Sequence, residues 1–94
     1  MHLKKEYIIS KQIIRSGTAV GALTREAEFA QSKADFINKL SISVKEANET
    51  MFWLELLFEV KRISEELYKE LSSFCNEIIS ILVASIKTAK NNAK

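Results

Sequence analysis

The stretch ADFINKLSISVKEANETMFWLELLFEV, residues 34–60, decides the fold of this protein. It contains neither proline nor glycine, and its apolar residues recur every three or four positions, which is the period of a helix. One stripe steps by 4, 4, 3, 4, 3 and 4 residues through Phe36, Leu40, Val44, Ala47, Met51, Leu54 and Phe58. Further apolar residues widen it, namely Ile37, Phe52, Trp53, Leu56, Leu57 and Val60. A helix with nearly two apolar stripes is typical of a helical bundle.

Similar patterns lie on both sides of this stretch. The preceding one runs through Ile9, Ile13, Ser16, Val20, Leu23, Ala27 and Ala30. The following one runs through Leu67, Leu71, Phe74, Ile78, Ile81 and Ser85, with Cys75, Ile79, Leu82 and Ile86 beside it. Ser32, followed by Asp35, and Ser64, followed by Glu65 and Glu66, are predicted N-caps, because acids favour the first turn of a helix. The sequence therefore predicts helices at about residues 8–31, 33–60 and 65–90.

The length and composition fit one small all-α domain. The chain has 94 residues, no proline and only two glycines, so sheets and tight turns lack their usual residues. The short connections between long helices favour antiparallel neighbours. We therefore expect a single domain over residues 1–94, an all-α antiparallel up-and-down bundle with three long helices.

The expected compartment is a reducing cytoplasm. A single cysteine, Cys75, cannot form a disulfide framework within the chain. The first residues, MHLKKEYIISKQ, lack a signal-peptide core, and no segment approaches the roughly 20 apolar residues of a membrane span. The predicted partners accordingly exclude a membrane.

Charge is distributed unevenly along the chain, although the net charge is only +2. Residues 1–25 hold five bases and one acid, residues 26–77 hold eleven acids and six bases, and residues 78–94 hold three lysines and no acid. The basic segments could bind an anionic partner. The favoured interpretation is a solvated surface, since charge runs are usually solvated faces and lysines near a helix C-terminus complement the helix dipole without any partner.

Both glycines of the chain lie in the segment RSGTAVGAL, residues 15–23, inside the first predicted helix. Gly17 and Gly21 are one turn apart and share a face, and the apolar stripe continues in register through them. Each costs about 1 kcal/mol relative to alanine in a helix, which close approach of another helix could offset. We therefore expect close packing over Gly17 and Gly21; the alternative is a bend or a frayed turn.

No catalytic constellation is present in the sequence. The only histidine, His2, is at the terminus, so neither a Ser-His-Asp nor a Cys-His arrangement has a well-held base. One histidine also cannot supply the two Glu-x-x-His pairs of a di-iron bundle. Glu46 and Glu49 share a helical face that we expect to be solvated, and Cys75 is expected in the core. The sequence predicts no enzyme, no cofactor, no metal and no small-molecule substrate.

Trp53 has two interpretations. Together with Phe52 and Leu56 it is expected to fill the core or a subunit interface, where a large aromatic ring contributes much of the buried area. Stacking on a nucleobase is the alternative, although few cations surround Trp53 in the sequence.

Two segments carry a resemblance to a known family. They are KQIIRSGTAVGAL, residues 11–23, and SKADFINKLSISVKEANETMFWLELL, residues 32–57. They resemble the four-helix-bundle proteins encoded by intervening sequences of 23S ribosomal RNA genes, which show an R-S-G-T motif, a D-F-I-x-K-L-S-I motif and an E-A-x-E-T-x-Y-W-L motif. Leu23 and Thr24 depart from that pattern, which commonly has Asn and Ile there. The resemblance therefore does not support a polar role at residue 23.

The resemblance implies short antiparallel bundles that assemble as ring-like homopentamers. It also implies relatedness to accessory proteins of retroelements that use a basic pentamer to engage a reverse transcriptase and nucleic acid. In the family another helix precedes the one predicted here from near residue 8, so we expect either a truncated chain or a true start upstream of Met1, with most of the first family helix missing from these 94 residues. Its absence would expose apolar surface; at about 25 cal/mol per Å², leaving about 400 Å² unburied forfeits on the order of 10 kcal/mol.

These observations lead to one functional prediction and one alternative. The first is a homo-oligomeric scaffold that binds structured RNA or a nucleic-acid enzyme through Lys4, Lys5, Lys11, Arg15, Lys61 and Arg62. The alternative is a module without nucleic-acid binding that docks a partner protein on the surface of Phe52, Trp53 and Leu56. Either way we expect self-association, or else a molten monomer.

Overall fold

The computed structural model describes the backbone of residues 2–92 and the side chains of residues 6–92. It contains three helices of equal length, α1 (His2–Glu28), α2 (Lys33–Glu59) and α3 (Glu65–Asn91), and no strand within residues 2–92. The all-helical prediction is confirmed.

Both predicted N-caps are confirmed. The hydroxyl of Ser32 accepts a hydrogen bond from the amide of Asp35 at 3.0 Å, and that of Ser64 accepts one from the amide of Leu67 at 3.0 Å. Each serine has an extended backbone, as an N-cap requires. The serines therefore fix where α2 and α3 begin.

The bounds of α1 differ most from expectation. It begins at His2 rather than near residue 8, because no glycine or proline interrupts the segment before Ile8. It ends at Glu28, three residues before the expected end. The amides of Phe29 and Ala30 bond to carbonyls only three residues back, which tightens the last turn. The chain can then become extended at Ser32.

The helices run up, down and up, since the residue pairs that meet follow opposite orders in neighbouring helices. Between α1 and α2 these pairs are Glu6–Arg62 (just past the end of α2), Ser16–Thr50, Thr24–Ser43 and Glu26–Lys39. Between α2 and α3 they are Phe58–Tyr68, Ala47–Cys75 and Lys33–Asn92. Consequently α1 and α3 run in the same direction on either side of α2.

Buried apolar residues lie along the whole length of α2, and one cluster of them lies towards one end of the molecule. Ala27 from α1, Leu40 from α2 and Leu82 from α3 are each at most 5% exposed and form one cluster. Partly buried residues pack around it, namely Val20, Phe36, Val44, Ile78 and Ile86. Elsewhere α1 and α3 stay apart: among the described residues, no Cα of one helix lies within 8 Å of a Cα of the other. The space between them is therefore an open groove whose floor is α2.

A left-handed residue ends α2. Lys61 has a φ of 59°, and the amides of Lys61 and Arg62 bond to the carbonyls of Phe58 and Leu57. This pairing is a Schellman motif, in which glycine usually takes the left-handed position. The motif places two adjacent basic residues at the turn between α2 and α3.

Candidate interaction surfaces

A seam of buried hydroxyl groups joins α1 to α2. Ser16 and Ser43 are fully buried. The hydroxyls of Ser16 and Thr50 are 2.7 Å apart, and those of Thr24 and Ser43 are 3.1 Å apart. Ser43 is also 3.1 Å from the carbonyl of Val20. No buried side-chain N or O atom within the described part of the chain lacks a partner, so the seam is fully satisfied and holds the two helices in one register.

This seam was missed in the sequence. Ser16 was recognised only as a member of the apolar stripe of α1. The available signal was the recurrence of small hydroxyl residues at helical spacing, Ser43 and Thr50 on α2 opposite Ser16 and Thr24 on α1. Because single-sequence patterns do not show which helices meet, this signal becomes meaningful only once α1 and α2 are paired.

An ion cluster lies beside the seam. The guanidinium of Arg15 binds Glu46 at 3.4 Å and also contacts Glu49, whose carboxylate lies 3.5 Å from the indole nitrogen of Trp53. The Glu46 side chain is only 18% exposed. The expectation that Glu46 and Glu49 form a solvated surface is therefore wrong, because α1 supplies a cation directly opposite them. Arg15 in turn is already engaged within the chain.

The other predicted basic residues are spread over one end of the molecule. Lys11 and Lys61 are exposed. Arg62 pairs with Glu6 at 3.6 Å, which joins the turn after α2 to the start of α1. Lys4 and Lys5 lie outside the described side chains. Arg15 lies nine residues beyond Glu6, about 14 Å along the helix. The structure thus brings Lys61 and Arg62 to the first turns of α1, and nucleic-acid binding by this set stays a prediction.

The groove between α1 and α3 is lined almost entirely by apolar side chains. Its deepest part is a cleft of about 210 Å³. Its lining residues are Ile13, Gly17 and Val20 from α1, Ala47, Thr50 and Leu54 from α2, and Leu71, Phe74, Cys75 and Ile78 from α3. Phe74 is 63% exposed and Ile81 is 60% exposed. The main stripe of α3 therefore faces the open groove, whereas the buried residues Cys75 and Leu82 beside it pack on α2.

The two glycines lie beside this groove. The helix is continuous through Gly17 and Gly21, so the alternative of a frayed turn is wrong. Close packing by another helix of the same chain is also wrong, since no atom lies within 4 Å of the position that a Cβ would occupy at either glycine. The physical reason is that both glycines point away from α2, towards the side where α3 does not reach α1. Packing by a second molecule stays a prediction.

A second apolar cleft, which we call the Trp53 cleft, lies across the molecule from the groove. It has a volume of about 370 Å³ and is lined by Glu6, Ile8, Ile9, Trp53, Leu56, Val60 and Arg62. Phe52, 55% exposed, packs edge-on against Trp53 with ring centroids 5.0 Å apart. Leu54 points into the groove, so Phe52 and Leu56, two residues away on either side, point outward. The predicted interface residues thus divide between two surfaces.

Cys75 is a core residue. Its thiol donates to the carbonyl of Ala47 at 3.3 Å, and burial raises the pKa of the thiol. At neutral pH it stays protonated, which makes it a poor nucleophile. Across the described side chains there is also no group of three or more His, Cys, Asp and Glu residues arranged to hold a metal ion.

Among the described helices, α3 alone is long and apolar enough to cross a membrane by length and composition. The sequence predicts no membrane span, because scattered serines interrupt the apolar residues of α3 and leave no uninterrupted apolar run. This feature is weak evidence for a membrane, since a helix that buries one face against protein passes the same test.

Comparisons with known proteins bear on the family. Residues 1–84 match the family model for the 23S rRNA-intervening sequence protein. A solved protein of unknown function from the S23 ribosomal protein family of Bacteroides thetaiotaomicron VPI-5482 is 55% identical over 89% of this chain and 75% of its own, with a TM-score of 0.86. No curated protein matches the chain. The resemblance seen in the two sequence segments is therefore confirmed, whereas neither of these findings names an activity.

Proposed function

Because this chain belongs to the 23S rRNA-intervening sequence protein family, we propose that it is a non-enzymatic scaffold that assembles with copies of itself and binds structured RNA or a nucleic-acid enzyme. The observation that supports assembly is the open groove. Leu71 and Phe74 line it and are 37% and 63% exposed, although they belong to the main apolar stripe of α3. Covering such a patch is the usual reason for a small helical protein to associate.

In this proposal, assembly completes a four-helix bundle. The groove has α1 and α3 as walls and α2 as floor, so one more helix laid along it would bury the exposed stripe. Sedimentation equilibrium at micromolar concentration tests this step. We expect a mass of two or more chains, with five the number implied by the family resemblance. A compact monomer that unfolds cooperatively would overturn it.

Nucleic-acid binding would use the basic end of the molecule. Lys61 and Arg62 extend from the turn after α2, close to the first turns of α1, where the sequence has Lys4, Lys5 and Lys11. Such a cluster attracts phosphates without reading bases, so affinity falls steeply with salt. Arg15 contributes less, because Glu46 and Glu49 already neutralise it.

A salt titration with a structured RNA hairpin tests this second step. We expect binding at 50 mM salt that weakens at least about tenfold at 200 mM, as phosphate contacts require. Replacing Lys61 and Arg62 by glutamine should weaken it further. The matched control replaces Lys87 and Lys90, which lie at the opposite end of the molecule. No binding at 50 mM salt, or equal losses from both pairs, would remove RNA from the proposal.

The alternative function is a protein-docking module without nucleic-acid binding, and the Trp53 cleft favours it. The cleft is large enough for one bulky side chain, and the half-exposed Phe52 lies at its rim. Trp53→Leu separates the two functions. Loss of assembly with unchanged RNA affinity would favour docking at this cleft, whereas intact assembly would favour the groove.

The proposal places this scaffold in the cytoplasm, where a buried free thiol such as Cys75 stays reduced. It includes no catalytic step, no cofactor and no small-molecule substrate. A reproducible turnover that is lost when Glu46 or Glu49 is replaced would contradict the non-enzymatic part.

A further inference from the structure

The Trp53 cleft continues into a second, shallower hollow on the outward side of α2. Phe52, Glu55, Leu56 and Glu59 line this hollow, which has a volume of about 200 Å³. Leu56 lines the Trp53 cleft as well, so the two hollows are adjacent and form one surface. We call it the aromatic patch, with the apolar residues Ile8, Ile9, Phe52, Trp53, Leu56 and Val60 and an acidic edge of Glu55 and Glu59.

Much of the apolar part of this patch is exposed. Phe52 is 55% exposed, Ile8 from α1 is 48% exposed and Val60 is 43% exposed. The ring of Phe52 is held edge-on against Trp53, so both aromatic side chains have a fixed position beside the cleft. Energetically dominant contacts between proteins are enriched in tryptophan and are formed where a side chain fills a pocket on the partner. The patch therefore suits a partner that inserts one bulky apolar side chain.

The acidic edge lies at the end of α2 that the helix dipole makes negative. The last turn of α2 contains no basic residue, Glu59 is its final residue, and Glu55 lies one turn earlier. By contrast, α1 and α3 have Arg25 and Lys90 in their last turns. Carboxylates are unfavourable near a helix C-terminus, whereas cations are favourable there. A cation from outside the chain would offset this unfavourable placement.

The two glutamates have no cation of their own within the described part of the chain. Glu55 and Glu59 are exposed, and neither forms an ion pair with a described lysine or arginine. Arg62, which lines the Trp53 cleft, pairs with Glu6 instead. Lys61, at the turn beyond α2, pairs with neither glutamate. The acidic edge is therefore available to a cation of another molecule.

We propose that the aromatic patch binds a basic amphipathic helix of a partner protein. The partner inserts a bulky apolar side chain into the Trp53 cleft and places lysine or arginine side chains against Glu55 and Glu59. Side chains four residues apart on a helix are about 6 Å apart, so two cations one turn apart on the partner match the two glutamates. This inference rests on the docking function proposed for the Trp53 cleft and names the chemistry of the partner.

Charge favours a protein helix over nucleic acid at this patch. Two carboxylates without a cation repel phosphates, whereas they attract lysine and arginine. Helices that cluster lysine and arginine are typical of proteins that bind nucleic acid. The patch borders the basic end at Arg62, which lines the Trp53 cleft. A basic helix docked here would therefore lie beside the RNA that we propose for that end.

The fluorescence of Trp53 tests the inference directly, because Trp53 is the only tryptophan of the chain. The full chain is titrated with an amphipathic peptide of leucine and lysine, and separately with its leucine and glutamate counterpart. We expect the lysine peptide to shift the emission to shorter wavelength and to bind about tenfold more tightly than the glutamate peptide at low salt. This difference should shrink at about 1 M salt, where exposed charges are screened.

Substitutions with matched controls locate the peptide. Phe52→Ala should weaken binding of the lysine peptide about tenfold, whereas Phe74→Ala, in the groove, should leave the Trp53 titration unchanged. The double variant Glu55→Gln and Glu59→Gln should weaken it about fivefold and remove the preference over the glutamate peptide. Its control replaces Glu70 and Glu77 of α3 by glutamine, which changes the net charge equally but leaves the patch intact.

Each other result contradicts the inference in a distinguishable way. Equal affinity for both peptides, lost on Phe52→Ala, overturns the basic partner and leaves docking at the cleft standing. Equal losses from each variant and its control show that the peptide binds elsewhere, which overturns the inference. An emission shift on concentrating the protein without peptide overturns it as well, because a second copy then covers the patch. No shift with either peptide overturns both the inference and docking at the cleft, while the RNA titration still decides the scaffold.

Discussion

The groove between α1 and α3 differs sharply from the interface between α1 and α2. Between α1 and α2, buried hydroxyls pair at 2.7 Å and 3.1 Å, and Arg15 binds two carboxylates. Across the groove, α1 and α3 present apolar side chains to each other, and among the described residues no Cα of one helix lies within 8 Å of a Cα of the other. Directional hydrogen bonds and ion pairs close the α1–α2 interface, whereas the groove is open and apolar.

The comparison shows how one small chain can specify one contact and leave another available. A shift of α1 along α2 would leave the buried hydroxyl of Ser43 without a partner, at a cost of about 1–3 kcal/mol, because it bonds only across the seam, to Thr24 and to the Val20 carbonyl. Apolar contacts carry no such directional requirement, and their strength follows the area removed from water. The polar seam therefore fixes the internal register, while the groove leaves apolar surface exposed in one chain.

The largest effect is expected when the same leucine-to-alanine substitution is made once in the core cluster and once in the groove. Leu40→Ala should lower the free energy of unfolding by about 2–5 kcal/mol, because Leu40 is 3% exposed and lies in the core cluster. Leu71→Ala should lower it by less than about 1 kcal/mol in a dilute sample, since Leu71 lines the groove and is 37% exposed. Urea unfolding followed by circular dichroism measures both. Equal losses would show that the groove is already covered in solution.

The seam itself can be weakened one hydroxyl at a time. Ser43→Ala should cost about 1 kcal/mol, because it removes bonds to Thr24 and to the Val20 carbonyl from a buried site. Ser41→Ala is the matched control, since that hydroxyl is exposed and bonds only within its own helix at Ile37. It should change the free energy of unfolding by less than about 0.5 kcal/mol. If the seam contributes nothing to the register, the two variants will have the same free energy of unfolding.

Substitutions at the two glycines separate the stability of one chain from its self-association. Gly17→Ala and Gly21→Ala should each raise the free energy of unfolding of the monomer by up to about 1 kcal/mol, because both positions are helical and open. The same variants should weaken the proposed self-association, because we expect another molecule to pack closely over them. Thermal unfolding and sedimentation, measured on the same samples, give the two quantities. An increase in both the free energy of unfolding and the strength of association would contradict close approach of another molecule at Gly17 and Gly21.

The smallest effect is expected from the ion cluster beside the seam. Arg15→Gln should lower the free energy of unfolding by less than about 1 kcal/mol, because the Arg15 side chain is 47% exposed and water screens its pairs. The loss should shrink further at 1 M salt. Urea titrations at low and high salt test this. A salt-independent loss of several kcal/mol would show that the cluster, rather than the hydroxyls, holds α1 to α2.

The sequence by itself determined the elements of this protein. The helical period of residues 34–60, the serine caps at 32 and 64 and the lack of proline fixed three helices and their order, because these signals act within one or two turns of the chain. The motifs shared with its family were equally visible. The sequence did not show what each apolar stripe contacts. The main stripe of α3 has the same spacing as a core stripe, and yet it faces an open groove.

Only the tertiary structure decided which faces meet. It paired Ser16 with Thr50 and Arg15 with Glu46, residues more than 30 positions apart, and it left Gly17 and Gly21 uncovered. The physical reason is that helical periodicity reports which residues share a face, whereas the partner of that face depends on how the helices are arranged around α2. Within residues 2–92, α1 and α3 both pack on α2 and not on each other, so the apolar face between them stays open.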